Sequence, residues 1–259
     1  MQTTGNTILI TGGGSGIGRA LAEAFHQRGN QVIIAGRRQA ALDAVAQANP
    51  GIRTVTLDVR DAQDIQRLAA RMAADFPALN AVVNNAGIMR LENWRAADID
   101  LATAQATIET NLLAPIRLTA ALLPQLRRQP RATVLNVSSG LAFLTMAHTP
   151  AYSATKAAIH AFSDALRYQL KDTGVDVIEI VPPYVQTGLM SPKQATDPHA
   201  MPLAGFIDEV MHILDTQPHV REVLVQRVLP LRFAAQQGHQ GYIEQFTAYN
   251  DQFSALHAL

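Results

Sequence analysis

The chain has 259 residues, 48% of them apolar and 16% charged, which is the composition of a packed globular protein and excludes a disordered one. Its 21 basic and 21 acidic side chains cancel, so no concentrated basic charge marks it for nucleic acid or for an anionic membrane surface. It has no cysteine, which excludes disulfides, thiolate metal sites and cysteine nucleophiles.

The first six residues are polar and carry no basic run followed by an apolar one, so no signal peptide is expected. No stretch approaches the roughly 18 to 20 apolar residues that span a bilayer. The expectation is a soluble, cytoplasmic protein without a membrane partner. The eight histidines show no paired metal-binding spacing, so no metal site is expected.

Short β-branched runs alternate with helical patterns. Residues 7–10 read as a first strand, and from Ile17 the residues Ala20, Leu21, Ala24 and Phe25 recur at helical spacing until Gly29 and Asn30. Residues 32–35 form a second strand, followed by an alanine-rich helix to Ala48 and a turn at 49–51. Residues 54–57 give a third strand, 62–74 a helix and 81–83 a fourth strand. A long helix is expected over 102–128, bent by Pro115 and Pro124. Residues 133–137 form strand five. Thr149 and Pro150 open a helix to about Lys171, 175–181 is strand six and 222–226 a seventh strand.

Strands alternating with helices imply one α/β domain, a doubly wound seven-stranded parallel sheet covered on both faces, the Rossmann arrangement. The proline-rich stretch 186–202 has no periodicity and is expected to belong to a substrate loop or lid over about 186–215; residues 230–259 are expected to be a C-terminal extension covering the core or a neighbouring subunit.

The first strand runs into Thr11-Gly12-Gly13-Gly14-Ser15-Gly16-Ile17-Gly18, and a helix begins inside that run. Glycines there allow a sharp turn and close approach of a pyrophosphate, and the helix N-terminus offers free N–H groups and partial positive charge. No Gly-Lys-Ser/Thr follows, so the run is not a nucleotide-triphosphate loop. Gly12, Ser15, Gly16, Ile17 and Gly18 are therefore candidate dinucleotide contacts. After the second strand, where an acidic residue would select NAD, stand Gly36, Arg37 and Arg38. Paired arginines suit a 2′-phosphate, which favours NADP. The alternative is that they open the next helix in solvent and that NAD is used.

Tyr152 and Lys156 are four apart, hence neighbours on one helix face. A free phenol has a pKa near ~10, and an adjacent ammonium is expected to lower it, making an acid–base unit. This pattern recurs by chance in many chains. Here Ser138 and Ser139 follow strand five, Asn84-Asn85-Ala86-Gly87 follows strand four and Asn111 lies on the next helix, so these polar groups converge on the strands' carboxyl edge.

Together, Thr11 to Gly18, Asp58-Val59, Asn84 to Gly87, Asn111, Ser139, Tyr152 and Lys156 resemble the short-chain dehydrogenases/reductases over nearly the whole length. The stretch from Glu179 through Pro182-Pro183-Tyr184-Val185-Gln186-Thr187 to Leu189 resembles the subgroup associated with D-alanine-lipoteichoic-acid operons. The resemblance implies that Tyr152 exchanges a proton with the substrate oxygen, Lys156 lowers the phenol's pKa and holds the nicotinamide ribose, and Ser139 bonds the carbonyl oxygen. Ser139 is favoured over Ser138 because thirteen positions separate it from Tyr152, the family's interval. Asn111 would hold a relay water, Asp58 and Val59 would contact adenine, and Asn85, Ala86 and Gly87 would line the ribose. Val185 and Thr187 would hold the carboxamide, although Pro182-Pro183 stands where the family has Pro-Gly.

Leu141, Met146, His148, Tyr184, Leu189 and Met190 follow strands five and six and are candidate substrate contacts. Most are apolar, which points to a small, uncharged, fairly apolar carbonyl or alcohol. The small residues Ala154, Ala157, Ala158 and Ala161 offer a close helix contact, and the family's habit implies a homodimer or homotetramer. The competing readings are an NAD-dependent alcohol dehydrogenase working oxidatively, and a dinucleotide-binding regulator without turnover.

Overall fold

The architecture comes from a computed structural model, which describes residues 1–99 and 101–257. Seven parallel strands, β1 (Thr7–Thr11), β2 (Gln31–Gly36), β3 (Arg53–Thr56), β4 (Leu79–Asn84), β5 (Ala132–Val137), β6 (Val175–Val181) and β7 (Glu222–Leu224), form one sheet in the order β3-β2-β1-β4-β5-β6-β7. The strand order reverses beside β1, between β1 and β4, which is the switch point where an open α/β sheet binds ligands.

Successive residues of a strand point to opposite faces. Ile8 and Ile10 of β1 therefore enter one core with Leu21 and Phe25 of α1 (Gly16–Gln27). Leu9 enters the opposite core, with Leu68 and Met72 of α3 (Ala62–Asp75). Helix α2 (Gln39–Ala48) covers the β2–β3 edge through Leu42 and Val45. All three β1 side chains are fully buried, as both faces being covered requires.

The long helix expected over 102–128 is instead two helices, α4 (Leu101–Ile108) and α5 (Ala114–Leu126), joined by a π turn at Glu109–Leu113. Pro115 has no N–H to give to the carbonyl four residues back, that of Asn111, so the coil widens just before it. The Ala114 N–H accordingly reaches five residues back, to Glu109. Pro124 lies in the last turn of α5 without ending it. Helix α6 (Pro150–Gln169) has Pro150 in its first turn and packs against β6.

The stretch after β6 makes a single bridge, Val185 to Met201, and one 3-10 turn at Pro192–Thr196. A lid reaching about residue 215 is corrected here: α7 (Leu203–Thr216) buries Phe206, Val210, Met211 and Leu214 beside α1. These residues are spaced as one helical face, so α7 belongs to the core and the loop closes at Pro202.

Beyond β7, a short α8 (Leu229–Arg232) leads to α9 (Gly238–His257). The last two residues of the expected extension, Ala258 and Leu259, lie outside the described residues. No helix among the described residues is long and apolar enough to cross a membrane.

Candidate active site

The turn after β1 is shaped by what cannot be there. Gly12 has φ +68°, a conformation L side chains rarely adopt. A Cβ on Gly18 would meet the Asn85 side-chain amide and lie 2.5 Å from the Gly12 carbonyl oxygen. That closeness is built from both sides: the Asn85 amide donates to the Thr11 carbonyl at 2.9 Å, while the Thr11 hydroxyl accepts from the Asn85 and Ala86 N–H groups. Thr11 and Asn85 thus clamp the turns after β1 and β4 together at the switch point.

Two contiguous hollows meet at this turn. One, of about 160 Å³, runs from Gly12, Gly14 and Ser15 to Arg37, Arg38, Asp58, Val59 and Arg60. The other, of about 490 Å³, runs from Gly12, Ser15, Gly16 and Ile17 to Ser139, Tyr152, Lys156, Val185 and Thr187. Asn85, Ala86 and Gly87 form part of its wall. Gly18 stands behind the turn.

At the first end, Arg38 reaches the Ser15 hydroxyl at 3.4 Å. The Asp58 carboxylate is gripped by Arg60 through two bonds, at 3.1 and 2.8 Å, and this guanidinium holds it below the usual carboxylate range. The acid expected to face adenine is therefore already engaged. Arg60 escaped the sequence reading; its signal was a guanidinium two positions past Asp58, close enough to fold back on it.

At the second end, Ser139 and Tyr152 line the same cleft, and the Ser139 hydroxyl accepts from the Leu141 N–H at 3.1 Å. Ser138 instead turns to the Ile180 carbonyl. Lys156 lies 5.5 Å from the Tyr152 ring centre and donates to the Val137 carbonyl at 2.7 Å. Burial pushes Tyr152 up to about 12, with Ser139 pulling the other way, so the net direction is opposite to the lowering expected beside an ammonium. Burial also pushes Lys156 down to about 8. Desolvation disfavours both charged forms, and Lys156 spends its proton contact on a carbonyl. At neutral pH the pair is a neutral phenol beside an ammonium.

Asn111 stands one layer behind the cleft. Its amide donates to the Ile88 carbonyl at 2.8 Å and accepts from the Ile88 N–H at 2.9 Å, with Thr155 at 3.5 Å.

The candidate substrate residues separate. Leu189 lines the cleft. Leu141 and Met146 pack with Met89, Tyr152 and Phe253, and Met190 lies against them. The Tyr184 hydroxyl donates to Asp197 at 3.0 Å. His148 is bonded to Ser254 at 2.7 Å and tilted on Phe253, so it anchors α9 and is no part of the cleft wall.

Two further residues were missed. Gln194 ties Met190, Val185 and Thr187 into one loop. Asn250 of α9 accepts from the Ala147 N–H and donates to the Thr145 carbonyl, bringing Tyr249 against the Tyr152 cluster. Neither carries a motif; each acts through contacts across the fold.

A doubly wound sheet with a glycine turn at its switch point and a Ser-Tyr-Lys cluster across the same cleft defines a dinucleotide-type oxidoreductase fold. The chain belongs to the short chain dehydrogenase family, whose model matches residues 6–198. It is 40% identical over 248 residues to the uncharacterised oxidoreductase DltE of Bacillus subtilis (strain 168), covering 95% of this chain and 98% of that one. It also resembles a solved short chain dehydrogenase from Burkholderia cenocepacia J2315 in complex with NADP, at TM-score 0.81 and 22% identity over 95% of this chain and 99% of that one. A closed serine dehydrogenase complexed with NADP+ superposes at TM-score 0.74 with 27% identity, over 82% and 90% of the two chains.

Proposed function

We propose that the chain transfers a hydride between a nicotinamide dinucleotide, NADP in preference to NAD, and a small, fairly apolar carbonyl or alcohol. The observation that carries this reading is the convergence of Ser139, Tyr152 and Lys156 in one cleft contiguous with the glycine turn. The cradle fits such a cofactor: Gly12, Gly14 and Gly16 line it, the α1 N-terminus opens on it, and Arg37, Arg38 and Arg60 rim its far end. With Asp58 gripped by Arg60, those arginines favour a phosphorylated ribose. The serine dehydrogenase complexed with NADP+ lends the same preference.

The bound nicotinamide supplies or accepts the hydride. In the reductive direction Ser139 holds the carbonyl oxygen and Tyr152 passes its phenolic proton to it. The resulting phenolate lies next to the Lys156 ammonium, whose charge stabilises it and whose proton restores it. Asn111, through Ile88 and Thr155, holds the wall behind the pair. Leu189 and the cluster of Leu141, Met146 and Met190 favour an apolar substrate.

NADPH and NADH titrations of the purified protein test the cofactor, and a panel of aldehydes, ketones and secondary alcohols tests the substrate class. Tighter NADH would support the oxidative NAD-dependent reading, and tight binding without turnover of any panel member would support a regulator. We also propose a cytoplasmic homodimer or homotetramer; Ala154, Ala157 and Ala161 are exposed on one side of α6. Sedimentation at a single monomer mass would remove the oligomer.

A further inference from the structure

Glu179 is a fully buried carboxylate on β6 for which the proposed chemistry has no use. One of its oxygens is bonded to His160 Nδ1 at 2.7 Å; the other is buried and has no hydrogen-bond partner among the described residues. On α6, Lys156 and His160 are one turn apart on the same face. Lys156 reaches the Val137 carbonyl, and Val137 pairs with Ile180, the residue beside Glu179. A buried cation and a buried anion thus stand at adjacent levels of the sheet, beneath one helix.

Of the other charges in this layer, Glu222, the β7 neighbour of Glu179, is gripped by Arg232 of α8, and Asp164 of α6 is gripped by Arg167 and also lies 3.8 Å from His160 Nε2. Phe143 packs edge-on against His160 and beneath Arg232, which keeps water from that side. A lone ammonium in such an interior loses far more hydration than one carbonyl returns.

We propose that Glu179 is the counter-charge that holds the buried Lys156 as an ammonium, and that His160 sets how much of that charge Lys156 feels. Glu179 is a positioning residue: it touches neither substrate nor cofactor. The electrostatics run in the required directions, since Glu179 opposes the burial that lowers Lys156 and itself raises His160. While His160 is protonated it compensates Glu179. Once His160 loses its proton, Glu179 acts on Lys156 alone, so the lysine grips its proton harder as the medium becomes more basic. The meaning of this for turnover rests on the role proposed for Lys156; the charge relation does not.

The chain has three lysines, Lys156, Lys171 and Lys193, so full-length protein labelled with 13C at lysine Cε yields three assignable resonances. K171R and K193R assign them, and the titration runs from about pH 6 to about pH 10.5. The Lys156 midpoint is expected near 8 in the parent protein. In E179Q it should fall by about one pH unit, a roughly tenfold loss of proton affinity. In H160Q it should not fall, because Glu179 then acts on Lys156 without a compensating charge. An unmoved midpoint in E179Q, or an equal fall in both variants, would overturn the proposal, the latter by pointing to lost packing. If E179Q does not fold, a fall in H160Q overturns it alone. Failure of the functional reading shows differently, as absent NADPH binding with these titrations intact.

Discussion

The Lys156 ammonium sits 5.5 Å from the centre of the Tyr152 ring, one helical turn along α6, yet its hydrogen bond goes to the Val137 carbonyl and not to the phenol. Burial keeps the phenol neutral at physiological pH. Removing the phenolic oxygen should abolish proton transfer and leave the cleft's shape intact. Tyr152→Phe is expected to lose ~10²- to 10⁴-fold in turnover with NADPH affinity nearly unchanged. Steady-state kinetics and a fluorescence titration check this, and turnover at the parent rate would remove Tyr152 from the chemistry.

Arg38 borders both hollows and reaches Ser15, so it stands where a ribose phosphate would lie. Arg38→Ala should weaken NADPH by roughly tenfold or more while NADH changes little, because a charge-assisted contact is lost to one ligand only. Calorimetric titration of both cofactors reads the difference. Equal weakening of the two would assign Arg38 to packing and remove the preference for NADP.

Gly18 tolerates no side chain because the Gly12 carbonyl would lie 2.5 Å from the added carbon. The obstacle is backbone on a clamped turn, which has little freedom to move aside. Gly18→Ala is expected to cost about 1–3 kcal/mol of stability and to weaken dinucleotide binding in parallel. Urea denaturation and NADPH titration measure the two effects. A variant as stable and as tight-binding as the parent would show that the turn is looser than its geometry implies.

Asn250 joins α9 to the loop after β5 by bonds to the Ala147 N–H at 2.6 Å and the Thr145 carbonyl at 3.1 Å. Asn250→Ala leaves both groups short of a partner and should cost about 1–3 kcal/mol. Amide exchange should rise along α9 and in the Thr145–Ala147 loop while the central strands stay protected. Exchange rising uniformly over the molecule would instead mean global destabilisation.

His160 titrates against Glu179. The carboxylate raises the folded pKa above the ordinary 6.5, so the fold binds this proton more tightly than the unfolded chain. The stabilisation is fully present below about 6.5 and is lost as the pH climbs through the raised value. Urea midpoints across that window should show the parent losing its advantage over His160→Gln on the alkaline side. A constant gap between the two proteins would exclude the linkage.

The short apolar runs of the strands, the glycine run after the first of them and the four-residue spacing of Tyr152 and Lys156 were all readable in order along the chain. Such features are local: spacing settles which face a side chain shares, and a parallel sheet leaves few topologies for strands that alternate with helices. The same locality explains why the helix expected over 102–128 reads as unbroken. The π turn at Glu109–Leu113 depends on a missing donor at Pro115, and a proline's sequence signal is equally compatible with a bend.

Other properties had no local signature. Asn250 meets Ala147 across 103 positions, and Glu179 meets His160 from a different layer. His148, on a loop beside the cleft, is turned instead to Ser254. The direction of the Tyr152 shift follows from how much protein surrounds the phenol, a quantity no spacing encodes. Periodicity along one chain prescribes elements and their buried faces. Burial, charge balance and the partner of each polar group are properties of a three-dimensional neighbourhood, assembled only when distant segments pack together.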